Sequence, residues 1–183
     1  AVEDVLDAVL SDGPEVLYVV NPSGRVLERL TTAAVGVEDA LPPIRVLGEA
    51  GMLKSLMDDF LIASTAADLV EDDVLSIRTL PETTYSSTIV TDATTVALVE
   101  ADDAVGGLAT DDTAFVDQTV DAAADAWERG EPYALRTPAI SRVRQTLESE
   151  LGAADREDCQ ALLDALETGR GTDGDLDDVT RSL

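Results

Sequence analysis

The chain has 183 residues, 45% of them hydrophobic, which suits one folded domain, or one domain with an appendage, and is too apolar for a disordered acidic chain. Its 38 Asp and Glu against 12 Lys and Arg give a formal charge of -26, which is not a nucleic-acid footprint. It has no histidine and one cysteine, Cys159, which excludes imidazole acid–base chemistry, Ser-His-Asp and Cys-His nucleophile systems, imidazole zinc sites and an internal disulfide.

In chain order, Val2 to Leu10 carries Val2, Val5, Leu6 and Val9 on one helical stripe, and Asp12-Gly13-Pro14 stops it. Val16 to Val20 is a continuous apolar run and reads as a buried strand. Asn21-Pro22-Ser23-Gly24 is a turn. Val26 to Asp39 allows a strand by composition and a helix by the spacing of Val26, Leu27, Leu30 and Ala34. After Pro42-Pro43, Ile44 to Leu47 reads as a strand, Met52 to Val70 as one long helix and Val74 to Thr79 as a strand. Strand, helix, strand without a hairpin turn predicts a right-handed βαβ crossover with parallel pairing.

Ser87 to Thr91 and Val96 to Glu100 are β-branched runs joined by Asp92-Ala93-Thr94, a hairpin pattern, and Val105 to Ala109 adds an edge strand. Thr110 is placed to cap the next helix, with Asp111 and Asp112 at its positive end and Phe115, Val116, Thr119, Val120, Ala123 and Trp127 on its packed face. Gly130 and Pro132 follow its end. Beyond them, Thr137-Pro138 opens a helix to about Leu151, whose seam is Ile140, Val143, Leu147 and Leu151. A second tail helix starts at Asp155 and uses Cys159, Leu162, Leu163 and Leu166. A third begins at Asp175 after the break Gly169 to Gly174, and predicts a further domain beyond Leu183.

Eleven of the twelve basic residues are arginine, and Lys54 is the lone lysine. Aromatics make up only 3%, and Ala, Val and Leu dominate the apolar residues. A folded chain with this much like charge repels itself in dilute buffer. Molar salt shortens screening to about 3 Å and removes that penalty. The composition therefore fits a protein that works in molar salt. No apolar run reaches the ~20 residues of a membrane span, and the acidic N-terminus is the opposite of a signal peptide, so a cytoplasmic location is expected.

Candidate sites are few. Adjacent carboxylates such as Asp58-Asp59, Asp72-Asp73 and Asp111-Asp112 diverge on a helix and read as solvated surface. Asp92 suits a turn residue better than a catalytic carboxylate. Gly48-Glu49-Ala50-Gly51 joins a strand to a helix N-terminus, where free N–H groups either hold an anion or simply make a tight connection. Glu49 marks that loop. Arg78, near the end of a central strand, pairs either with a ligand anion there or with one of many carboxylates. Tyr85, Ser86 and Ser87 lie in the next connection and would line the same crevice. Trp127 reads as core.

Several segments resemble the TbsP-like transcriptional regulators of haloarchaea. They are Pro43-Ile44-Arg45-Val46-Leu47, Met57-Asp58-Asp59-Phe60-Leu61 and Ala66-Ala67-Asp68-Leu69-Val70, then Thr110-Asp111-Asp112-Thr113-Ala114-Phe115-Val116-Asp117, Ala126-Trp127-Glu128, and Leu135-Arg136-Thr137-Pro138 leading into Ser141 to Leu147. The resemblance implies an N-terminal effector or dimerisation domain followed by a winged helix-turn-helix, in regulators linked to sugar metabolism. It also implies likeness to phospholipase D-like effector domains, whose enzymes need His and Lys; without histidine that chemistry is not retained.

The expected fold is α/β, a mixed sheet with a βαβ crossover and a hairpin, packed by helices in two or three layers. It spans residues 1–136, with a helical tail over 137–183. The expected function is effector sensing and dimerisation in a DNA-binding transcriptional regulator. A small metabolite is the ligand, at Glu49, Arg78, Tyr85 and Ser87; the homodimer forms through Ile140, Val143, Leu147 and Leu151; DNA is reached through a domain beyond Leu183. No catalytic residue, metal, cofactor or membrane contact is expected. The alternatives are a carboxylate-metal hydrolase and a ligand-free protein-interaction module.

Overall fold

The computed structural model describes residues 5–6, 8–9, 13–35, 41–80, 86–102 and 104–150, except the side chains of 144 and 147–150. The chain divides into two compact units, Ala1–Ala139 and Ile140–Leu183. In the first, strand β1 (Leu17–Val20), helix α1 (Gly24–Val35), β2 (Ile44–Gly48), α2 (Ala50–Met57), α3 (Phe60–Glu71) and β3 (Leu75–Thr79) come in alternation. An antiparallel part follows: β4 (Thr88–Val90), β5 (Thr95–Ala101), β6 (Ala104–Thr110), helix α4 (Thr113–Arg129) and the two-residue β7 (Glu131–Pro132).

These strands form one mixed sheet of order β6-β5-β4-β1-β2-β3-β7. The central pairs β1–β2 and β2–β3 are parallel, with Leu17 opposite Ile44 and Ile44 opposite Leu75, while β4, β5, β6 and β7 pair antiparallel. The α/β class and the crossover expected from the sequence are thus present. All four residues of β1 are buried because the central strand is covered on both faces. On one face Leu17, Val19, Ile44, Val46, Leu75, Ile77 and Ile89 pack with Val26, Leu27, Leu30, Leu53, Ala66 and Leu69 from α1, α2 and α3. On the other, Tyr18, Val20, Leu47 and Val90 pack with Ala123, Ala126 and Trp127 of α4. The domain is a helix–sheet–helix sandwich.

The ambiguous segment after Ser23 is helix α1. The Ser23 hydroxyl accepts from Val26 N at 3.2 Å, the N-cap bond, and Val26, Leu27, Leu30 and Ala34 are buried on one stripe. At the N-terminus the described positions 5, 6, 8 and 9 are helical, and Leu6 and Val9 are buried.

Three expectations are corrected. The helix expected over Met52 to Val70 is two helices, because Asp59 leaves the helical backbone (φ -80, ψ 116) and its carboxylate accepts from Leu61 N and Ile62 N as the N-cap of α3. A cap outweighs continuous apolar periodicity here. Likewise Asp112, not Thr110, caps α4, accepting from Phe115 N at 2.9 Å; Thr110 ends β6 and accepts from Asp112 N. Phe115, expected on the packed face, is 50% exposed, since it lies on the first turn beside the N-cap.

Asp72-Asp73 closes α3 rather than decorating it. Asp73 has φ 58, Val74 N donates to Leu69 O and Asp73 N to Val70 O. That is a Schellman turn with aspartate at the left-handed position. The β4–β5 turn is held by Thr91, whose hydroxyl accepts from Ala93 N and Thr94 N, so threonine does there what Asp92 was expected to do. At the far end of α4, a Cβ on Gly130 would meet the Thr79 carbonyl at 2.8 Å and Leu47 Cδ2 at 3.2 Å. Glycine lets the chain turn tightly from α4 into β7, a strand the sequence did not announce. The second unit contains helix α5 (Ile140–Glu150). The helices expected from Asp155 and Asp175 lie outside the described residues.

Candidate functional site

The sheet face under α4 carries a cluster of two arginines and two aromatic rings. Strand alternation puts Tyr18, Arg45 and Arg78 on this face, Tyr18 directly opposite Arg45 in the β1–β2 register. Trp127 comes from the last turn of α4 and is buried, as is Tyr18.

Arg45 Nη1 donates to the Tyr18 hydroxyl at 2.8 Å. Its guanidinium carbon lies 5.5 Å from the Tyr18 centroid and 5.4 Å from the Trp127 ring. Arg78 Nη1 donates to the Trp127 carbonyl at 2.7 Å, and its guanidinium carbon is 4.6 Å from the indole centroid. Cation–π contacts of this kind contribute about 0.5–2 kcal/mol each, more as water is excluded. The Trp127 carbonyl belongs to the negative end of α4, so Arg78 also offsets the helix dipole there.

Both arginines are half-buried, and the partners their guanidiniums show among the described residues are neutral: a phenol, an indole and a carbonyl. Among the described residues neither has a carboxylate at ion-pair distance, although the chain holds 38 acidic residues. Ser76, across from Arg45 on the neighbouring strand, is solvent-exposed, so this part of the sheet face is open. Planar guanidinium groups with spare N–H donors at such a place suit a carboxylate or phosphate.

Of the residues expected to form the site, Glu49, Arg78 and Ser87 lie among the described residues. Arg78 is in the cluster. Glu49 is exposed; it is the N-cap residue of α2, its side chain makes no capping bond, and that helix packs on the opposite sheet face. Gly48 before it is a packing glycine: a Cβ there would meet Met52 Cε at 2.9 Å and Leu53 at 3.0 Å. The strand–helix loop at Gly48 is therefore a tight connection. Ser87 precedes β4; its hydroxyl is buried without a hydrogen-bond partner among the described residues, and its carbonyl accepts from Leu98 N. Tyr85 lies outside the described residues. Of the tail seam, Ile140 and Val143 are on α5, the side chain of Leu147 is not described and Leu151 lies outside the described residues.

Sequence reasoning missed Arg45, Tyr18 and the contacts that Trp127 makes with the two arginines. The signal was present in Ile44-Arg45-Val46-Leu47, a charged residue inside an apolar central strand, which must find a partner on one face. Among the described residues no group of three or more Cys, Asp or Glu side chains is arranged to hold a metal ion. No described helix is long and apolar enough to cross a membrane.

Comparison with known proteins places the fold. No curated protein matches the sequence. The solved structure of TrmBL2, described as an archaeal chromatin protein with a novel mode of DNA binding, matches with a TM-score of 0.50 at 13% identity, over 72% of this chain and 50% of that one. At that identity the likeness is one of fold, and this chain spans about half the length of that protein. The family model described as "Transcriptional regulator TbsP-like, N-terminal" matches residues 1–138. The chain belongs to the TbsP-like transcriptional regulators, and residues 1–138 are their N-terminal domain.

Proposed function

We propose that this chain is the effector-sensing and dimerising part of a DNA-binding regulator of metabolic genes, that it does no catalysis, and that its ligand is a small anionic metabolite held at Arg45 and Arg78. The observation that carries the ligand reading is a pair of half-buried arginines whose partners among the described residues are neutral, in a chain of charge -26. Arginines serving only to offset the surplus of acid would sit against carboxylates. These two are instead oriented by rings and neutral oxygens, which leaves their charge for a bound anion. Contacts at hydrogen-bond distance survive molar salt, where screening extends over about 3 Å.

Family membership supports the regulatory role, and the cytoplasm is where such a regulator works. A balance of 12 Lys and Arg against 38 Asp and Glu supports DNA contact through a domain outside these residues, since it supplies few cations to pair with phosphates. The test is promoter binding by the full-length regulator in molar KCl, with and without three- to six-carbon sugar phosphates. The reading expects at least one of them to change the Kd for DNA about fivefold or more. A regulator that binds DNA with the same Kd under every such addition contradicts effector sensing, and one that binds no DNA contradicts the regulator reading.

A further inference from the structure

Helix α4 and strand β7 leave part of β3 uncovered on the face that carries the arginines. Trp127, in the last turn of α4, lies against Arg78, and β7 pairs with Arg78 and Thr79. Two residues earlier on β3, Ser76 is exposed, while Leu75 and Ile77 on either side of it are buried in the core of the opposite face. Ser76 stands beside Arg45 on β2, and Arg45 beside Tyr18 on β1. A phenol, a guanidinium and a hydroxyl thus form one row across three strands, and Arg78 follows Ser76 on the same face.

Every polar side chain of this group can donate. Each guanidinium has five N–H donors, and Arg45 and Arg78 each give one to a neutral oxygen. The Tyr18 hydroxyl accepts from Arg45, which leaves its own hydrogen to donate. Arg45 reaches Ser76 from the neighbouring strand and Arg78 from further along the same one. A planar carboxylate is matched by the edge of a single guanidinium, whereas a phosphoryl group presents oxygens in several directions and suits donors from several sides. The residue type at 76 fits this role. In a chain with 38 acidic residues, an Asp or Glu there would stand beside Arg45 and neutralise it, a favourable cross-strand pair. Serine supplies a donor and no charge.

We infer that Ser76 is a specificity-determining residue of this site, and that its hydroxyl and the Arg45 guanidinium grip the phosphoryl group of a phosphorylated metabolite. Ser76 is the exposed member of the row, so the rest of the metabolite extends past it into solvent. The inference deepens the reading of Arg45 and Arg78 as an anion site, and rests on it.

The experiment is calorimetric titration of inorganic phosphate and of acetate into the 183-residue chain in molar KCl, for the wild type, Arg45→Gln and three variants at Ser76. The wild type is expected to bind phosphate about tenfold or more tightly than acetate. Ser76→Ala is expected to weaken phosphate binding about three- to tenfold, the loss of one hydrogen bond, and Ser76→Thr to retain it. Ser76→Asp supplies the anion from within and is expected to abolish phosphate binding, with an unfolding midpoint at or above that of the wild type. Position 76 is exposed, so Ala and Thr there do not threaten folding. Phosphate binding that is lost in Arg45→Gln but unchanged in Ser76→Ala and Ser76→Asp overturns the role of Ser76 and leaves the anion site standing. Acetate bound as tightly as phosphate overturns the phosphoryl assignment. A wild type that binds neither overturns the inference together with the reading beneath it.

Discussion

Arg78 holds Trp127 twice, through its guanidinium over the indole at 4.6 Å and through a hydrogen bond from Nη1 to the Trp127 carbonyl at 2.7 Å. One side chain on β3 thereby fixes both the ring and the C-terminal turn of α4. A charge-assisted hydrogen bond contributes about 1.5–3 kcal/mol and the ring contact about 0.5–2, not fully additively. Arg78→Ala is expected to lower stability by about 2–3 kcal/mol in urea unfolding at molar KCl, and Arg78→Lys by about half of that. A loss below about 0.5 kcal/mol for Arg78→Ala would show that α4 is held by its apolar contacts alone.

The turn after α3 predicts a gain. Asp73 occupies a left-handed backbone position (φ 58) that glycine adopts without a steric penalty. Asp73→Gly is expected to raise stability by about 0.5–1 kcal/mol, partly offset by the greater freedom of the unfolded chain. A destabilised variant would mean that the Asp73 side chain makes a contribution beyond the turn.

How much of this was legible in the sequence depends on which force decided each segment. A continuous apolar run located β1, because a strand covered on both faces has no polar side to show, and the strand–helix–strand order located β2 and β3, where Arg45, Ser76 and Arg78 interrupt the apolar residues. Turn and hairpin chemistry located β4, β5 and β6. The break between α2 and α3 was not legible in periodicity, since Leu56, Phe60 and Ala63 keep helical spacing across it; the Asp59 cap bonds decide it. Thr110 and Asp112 compete for the same capping role, and only the backbone shows which one stands at the helix start. The site was half legible. Arg78 could be singled out by its place on a central strand, but its partner Trp127 lies 49 residues away and Arg45 was hidden in a run whose other members are core.

Ser87 gives a sharper test of its own role. A buried hydroxyl without a partner costs about 1–3 kcal/mol. If it has no other task, Ser87→Ala is expected to keep or raise stability by up to about 1 kcal/mol and to leave metabolite binding unchanged, which makes Ser87 a bystander. Weakened binding in a fully stable Ser87→Ala variant would instead return it to the ligand site, as first expected from the sequence.

Salt dependence follows from charge alone. Raising KCl from 0.1 M to 2 M shortens the screening length from about 10 Å to below about 3 Å. The unfolding midpoint of a chain at -26 is expected to rise by about 4–8 °C or more, the equivalent of about 2 kcal/mol for this length. Equal midpoints at both concentrations would contradict salt adaptation.

The most direct measurement is calorimetric titration of sugar phosphates and their uncharged parent sugars into the 183-residue chain in molar KCl, for the wild type and for Arg45→Gln. Glutamine keeps a donor for the Tyr18 hydroxyl and removes the charge. The wild type is expected to bind at least one phosphorylated sugar and none of the uncharged ones, and Arg45→Gln to bind it tenfold or more weakly with its unfolding midpoint close to that of the wild type. No binding of any phosphorylated sugar, or equal affinity in both proteins, would contradict an anion site on this sheet face.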